Sequence, residues 1–374
     1  MSVAESWYRG FIEGLGAKLV AINTENPPGR EREAASFFAE KAAEQGLKAR
    51  LVVHSSSRAS AVVEVGWGDG PTVVLNSHLD TVPAGSPERW PFHPFETGVR
   101  DGFLCGRGSV DAKGCLASML AALASLSRSE KLSGRVVLMA VADEEVGGLG
   151  TLSTMKELEK VDYVVVGEPT SMEICVASRG RVEITAEFHG KPSHAALPEK
   201  GVNALAKAAK AVLKVAEMEK GFGPGRRRVG RATAAATMFE GGLKPNVIPE
   251  TAKITIDVRT VGQRPDRVLE LFKRRLKPSR ADLTAFIPEY VVDERSRVVK
   301  ACKKAVGEAG FKPVLTGFRA VADLNRMARV RRVEGVILGP GPLSLAHTFE
   351  EKVAVSELVK AAQVYRRVVE LLLA

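Results

Sequence analysis

The stretch Thr72-Val73-Val74-Leu75-Asn76-Ser77-His78-Leu79-Asp80-Thr81-Val82-Pro83 decides how the chain reads. Its opening TVVL is too continuously apolar for a half-exposed antiparallel strand and fits a strand buried on both faces, as in a parallel sheet. A histidine and an aspartate two residues apart follow directly. Ligands of open α/β sheets bind outside the carboxyl ends of the strands, so the residues after each comparable run are the candidates for a site. Residues 135–142 (RVVLMAVA) lead into Asp143-Glu144-Glu145, and residues 163–166 (YVVV) into Gly167-Glu168-Pro169. Residues 333–338 (VEGVIL) lead, past Gly339-Pro340-Gly341-Pro342, to His347. Asp111 sits in the loop GRGSVDAKG of residues 106–114, before a helical pattern at 115–126. A second long helical pattern covers 353–373. Strands alternating with helices predict an α/β fold, a mixed and largely parallel sheet layered with helices.

From about residue 178 to 288 the texture changes. Residues 182–188 (VEITAEF) and 254–258 (ITIDV) place apolar side chains at every second position, which means one covered face. Helices predicted at 203–220 and 264–276 and strands at 232–239 and 283–287 complete a β-α-β-β-α-β order, the pattern of a ferredoxin-like α+β unit. The expected organisation is a catalytic domain in two parts, 1–177 and 289–374, with the unit 178–288 inserted between them. Residues 221–230, rich in Gly and Arg, read as an exposed loop within the insert.

Composition narrows the function classes. A length of 374 residues suits two domains at roughly 150 residues each. Cys105, Cys115, Cys175 and Cys302 form no CxxC pair, which speaks against a zinc ribbon or a disulfide framework and for a reducing compartment. No basic segment followed by an apolar run opens the chain, and no uninterrupted apolar stretch of about 18 residues occurs, so a soluble, cytoplasmic protein that does not bind membranes is expected. The net charge of +10 raises the question of acidic partners. Aromatic residues do not interleave with the clusters Arg226-Arg227-Arg228, Lys273-Arg274-Arg275 and Arg329-Val330-Arg331-Arg332, so nucleic acid is not expected among them. The three Gln and six Asn match the depletion of thermolabile amides in heat-adapted proteins.

Each candidate also has a plain reading alone: His78 as a core histidine, Asp111 as a helix N-cap, Glu144-Glu145 as a solvated turn. Jointly they outnumber the ligands of one tetrahedral ion, and the mixture of imidazole and carboxylate suits Zn²⁺ or a similar first-row ion. Two divalent ions bridged by a carboxylate become the natural count, with zinc first and cobalt as the other choice. Asp80, two residues after His78, is expected to receive that ring's second N–H.

SHLDTVP, GRGSVDAKG, DEEVGGLGT, GEPT and AHT, in this order, resemble the motif set of the M20 metallopeptidase family, with a likeness running from about residue 15 to 370. The segments Gly190-Lys191-Pro192-Ser193-His194-Ala195 and Lys244-Pro245-Asn246-Val247-Ile248-Pro249 are similar to the family as well. The resemblance implies that His78 and Glu168 hold one metal, Glu145 and His347 the other, that Asp111 bridges them, and that Glu144 is the general base. It implies a homodimer in which His194 reaches the partner's site to stabilise the oxyanion, and contacts from Arg179, Asn246 and Arg259 to the substrate carboxylate or reacting carbonyl. The implied activity is hydrolysis of an amide in an N-acyl amino acid or short peptide with a free carboxylate, as in deacetylases, desuccinylases and carboxypeptidases. Where many relatives carry a Gly-Thr-Ser-Asp type segment this chain has Ala320-Val321-Ala322-Asp323, and Leu343 is apolar where some are polar. Release of an amino acid from an acidic carrier protein, and a metal-binding regulatory role on the same scaffold, are the other readings. The retained Glu144 weighs against the last, because a structural site needs no base.

Overall fold

The computed structural model describes residues 3–96, 98–127 and 132–374, which fall into two compact units. The first comprises residues up to Val176 together with Val291–Gly317 and Ala322–Ala374. Its sheet is built around Thr72–His78, buried along its whole length and flanked in parallel by Arg135–Val141 and Tyr163–Val166. Glu334–Ile337 pairs in parallel with Tyr163–Val166. The apolar runs are therefore buried parallel strands, as their lack of alternation predicts. Because these four strands point the same way, their carboxyl ends, and whatever follows them, open on one edge of the sheet.

Beyond Arg135–Val141 the sheet continues antiparallel through Ala59–Gly66 and Lys48–Val53. The helix Gly114–Leu126 contacts the two central strands and the helices Val3–Ala21 and Val355–Leu373, and all but one of its thirteen residues are buried. By length and hydropathy the stretch Ser109–Leu126 resembles a membrane span, yet 94% of it is buried inside the protein, where each enclosed leucine contributes roughly 1.5–3 kcal/mol. It is a core helix.

The second unit covers Ala177–Tyr290 and takes in Phe318–Val321, four residues from the part of the chain expected to belong wholly to the first. Its antiparallel sheet has the order Thr233–Gly241, Thr251–Thr260, Gly180–His189, Arg280–Ile287. With the helices Ala204–Glu217 and Pro265–Leu276 this is the β-α-β-β-α-β arrangement of a ferredoxin-like unit. Burial alternates strictly along Gly180–His189, and Val182, Ile184, Ala186 and Phe188 meet Ile254, Ile256, Val258 and Phe272 in its core. The loop 221–230 is not simply exposed: Phe222 and Val229 enter that core, an anchoring that its Gly and Arg content conceals.

Candidate metal centre

The strand ends meet as their parallel order requires. His78 is the last residue of its strand; Glu144 and Glu145 follow Arg135–Val141 through Asp143, which has φ +70°; Glu168 lies two residues past Tyr163–Val166. His347 follows Glu334–Ile337 on a loop and has φ +62°, a left-handed conformation costing an L-residue roughly 1–2 kcal/mol and concentrated at functional sites.

Asp111 lies at the middle, with Oδ1 3.0 Å from His78 Nε2 and Oδ2 3.3 Å from His347 Nε2. His78 Nε2 is also 4.0 Å from Glu168 Oε2, and His347 Nε2 is 3.1 Å from Glu145 Oε1. Two triads result, His78–Asp111–Glu168 and Asp111–Glu145–His347, each with its ligand atoms within 4.8 Å of one another. Asp111 belongs to both.

The loops are fixed by contacts distant in sequence. Glu351 Oε1 accepts the backbone N–H groups of Gly108, Val110 and Asp111 at 2.9, 3.0 and 3.1 Å, while Oε2 takes Arg107 Nη1 at 2.5 Å. Pairing of Lys352–Ala354 with Phe103–Cys105 sets Glu351 there, so the loops bearing His347 and Asp111 are tied together. Hydrogen bonds to a charged group are worth about 1.5–3 kcal/mol each, enough in sum to hold an irregular loop.

Asp80 differs from expectation. His78 Nδ1 faces the backbone oxygen of Asp80 at 2.9 Å, and the carboxylate stands 3.7 Å away. That carboxylate is engaged elsewhere: it accepts the N–H groups of Glu144 and Glu145 at 3.0 and 3.1 Å and the Asn26 amide at 2.9 Å. Asp80 thus orients the ring through its main chain and the Glu144-Glu145 turn through its side chain. Asn26 also donates to Asp143 at 3.0 Å, and Arg58 joins Asp143 to Glu31.

Electrostatics make this a strained set of acids and imidazoles. Burial opposes charge on His78, but its bond to Asp111 and the field of Glu168 and Asp80 hold its pKa well above the usual value. Hydrogen bonds donated to the Asp111 and Glu145 carboxylates push His347 up to about 10. Burial, reinforced by Asp111, raises Glu168 well above the carboxylate range, while Asp111, despite its own burial, is held below that range by the two histidines. Burial also lifts Glu144 to about 7, against the opposing charge of Arg326. Ligands bind metal deprotonated, so divalent ions held by this set would take the place of imidazole protons. The donor set fits first-row divalent ions.

Glu144, beside the ligand-type Glu145, is gripped by Arg326: Nη1 donates to its Oε1 and Nη2 to its backbone oxygen at 2.9 Å. Asn26, Glu351 and Arg326 escaped the sequence reading. They come from a loop, a strand edge four residues past His347 and a helix, and only the buried acid-rich neighbourhood makes them informative.

The other expected residues belong to the second unit. His194 and Asn246 lie on adjacent loops, joined by the His194–Val247 bridge and by Ala195 N–H donating to Asn246 O at 2.9 Å; both side chains are exposed. Arg179 Nε donates to Val229 O at 2.9 Å, and Arg259 Nε to Asp257 at 2.7 Å, a carboxylate it shares with Arg181. Within their unit the two arginines make structural pairings.

Relatives agree with this architecture. The chain is 26% identical over 372 residues to a LysW-lysine/LysW-ornithine hydrolase of Sulfurisphaera tokodaii, covering 99% of this chain and 98% of that protein. It is 28% identical over 393 residues to a Staphylococcus epidermidis protein named for succinyl-diaminopimelate desuccinylase, covering 95% and 96%. Its fold matches the M20 family metallo-carboxypeptidase Sso-CP2 of Sulfolobus solfataricus with a TM-score of 0.78 at 19% identity, over 99% of both chains. The profile of Peptidase family M20/M25/M40 matches residues 74–371, most of the chain, including every residue of both triads. The chain belongs to that family and is a hydrolase.

Proposed function

We propose that this protein is a two-metal amidohydrolase that cleaves the amide bond of an N-acyl amino acid or short peptide carrying a free carboxylate. The observation that carries this reading is the sharing of Asp111 by two triads with Glu144 alongside. His78 and Glu168 would hold one ion, Glu145 and His347 the other, and Asp111 both; zinc suits the donor set and cobalt is the substitute. Such a pair of ions, when bound, supplies a lowered water pKa and a polarised substrate carbonyl. Glu144 then acts as general base and acid: it takes a proton from the attacking water as the new C–O bond forms, and returns it to the nitrogen as the C–N bond breaks.

The remaining assignments extend the same reading. The protein works in the cytoplasm as a homodimer joined through the inserted unit, with His194 serving the partner's site as an oxyanion donor. Arg179, Asn246 and Arg259 recognise the substrate, and the pairings of the two arginines within their own unit would rearrange or extend for that purpose. Mixing inactive His194→Ala and Glu144→Ala proteins should regenerate some activity, and no recovery despite demonstrated subunit exchange contradicts action across a dimer.

A second reading is favoured by the net charge of +10 and by relatives named for LysW-lysine and LysW-ornithine hydrolysis: release of an amino acid from an acidic carrier. One experiment tests both. N-acetyl, N-succinyl and dipeptide substrates and an aminoacyl acidic carrier are screened at several ionic strengths, before and after chelation, with metal content measured on the same samples. Hydrolysis that stops on chelation and returns with Zn²⁺ or Co²⁺ is expected. Steep loss with salt identifies the carrier, because steering by opposite charge is screened beyond roughly 8–10 Å. Full activity in metal-free protein contradicts the proposal.

A further inference from the structure

Arg326 is buried against Glu144, and the ligand set does not account for it. It lies on the helix Asp323–Val330, and its side chain is 7% exposed. One guanidinium reaches both the side-chain Oε1 and the backbone oxygen of Glu144, and Nη1 also lies 3.3 Å from Asp323 Oδ1. Asp323 is braced in turn by the Asn76 amide at 3.1 Å, from the strand that ends in His78. The stem of Arg326 runs over Gly148, where φ is +75° and a Cβ would stand 2.1 Å from Arg326 Cδ. Bare backbone there leaves room for the arginine.

Stability is a poor account of this arrangement, since buried ion pairs often do no better than apolar packing of similar volume. Arg326 Nε, moreover, has no hydrogen-bond partner among the described residues. The fork holds Glu144 at two points, with Asp323 bracing the same Nη1, and a planar guanidinium fixes geometry as well as charge. We infer that Arg326 is a positioning residue for Glu144: it fixes the rotation of the carboxylate by holding Oε1 and the backbone oxygen together, leaving Oε2 as the oxygen that takes and returns the proton. The inference rests on Glu144 being the proton acceptor.

The test measures kcat, KM, bound metal and thermal midpoint for Arg326→Lys, Glu144→Gln and the double variant. Lysine keeps the charge but not the fork. The expected result is a fall in kcat of about 10- to 10²-fold, the scale of a misplacement near 1 Å, with KM and bound metal unchanged. That fall should vanish in the Glu144→Gln background, where no proton acceptor remains to be positioned. An unchanged kcat in Arg326→Lys, a loss of metal, or an equal loss in both backgrounds overturns the inference while leaving Glu144 in its role. Wild-type kcat in Glu144→Gln alone overturns that role and this inference with it. Should Arg326→Lys lack a cooperative thermal transition, Gly148→Ala serves in its place: it keeps the charge but displaces the stem. It should lower kcat with metal retained, and wild-type kcat in that variant overturns the inference.

Discussion

The two triads of the centre share Asp111 and differ in almost everything around it. His78 and Glu168 have side chains 1% and 6% exposed, and His78 ends a central strand with its Nδ1 set against a main-chain oxygen. His347 is 50% exposed, sits on a loop in left-handed backbone, and pairs with Glu145 on the turn that also carries Glu144. One half is framed by the sheet; the other is assembled from loops that Glu351, Asp80 and Asn26 tie down. A rigid cage favours tight binding, because little ordering remains to be done on binding, whereas an exposed site leaves room for water and substrate. The inner half is therefore read as the holding site and the outer half as the working one.

The largest expected effect separates neighbours within the outer half. Glu144→Gln should lower kcat by about 10²- to 10⁴-fold while both metals and near-normal affinity for a product analogue are kept, because the loss belongs to the transition state. Glu145→Gln should lose metal first and recover activity in excess metal. Kinetics and metal analysis on the two proteins check this; the reverse pattern would exchange their roles. Next in size, Asn26→Ala removes the amide that supports both Asp80 and Asp143 and should cost about 10- to 100-fold in metal affinity or activity, as loss of such outer supports does. Metal titration monitored by activity reads it, and wild-type affinity would show the support to be idle. The smallest effect tests the asymmetry itself. Graded chelation should remove metal in two phases, and His347→Ala should weaken only the more labile one. A single phase, or the same phase weakened in His78→Ala, erases the difference between the halves.

Much of this was legible in the sequence for a definite reason. A buried parallel strand writes itself as an unbroken apolar run, and the residue types just beyond four such runs supplied His78, Glu144, Glu145, Glu168 and His347 as candidates that the fold gathers, with Asp111. Period-two burial likewise disclosed the second unit through residues 182–188 and 254–258. Lys48–Val53 and Ala59–Gly66 went unread because the first mixes charge into a half-exposed strand and neither leads into a motif. The spacing of Asp80 from His78 suggests a bond between them, but three competing donors, all remote in sequence, decide where its carboxylate points. Arg326 and Glu351 are the same case: partners chosen in three dimensions leave no local pattern.

The central claim is that one carboxylate serves two ions. Metal bound per chain, measured after exhaustive dialysis in wild type, Asp111→Ala, His78→Ala and His347→Ala, tests it most directly. The account predicts two ions per wild-type chain, the loss of one from each histidine variant, and the loss of both from Asp111→Ala. Equal stoichiometry in all three variants, or a single ion in the wild type, would contradict it.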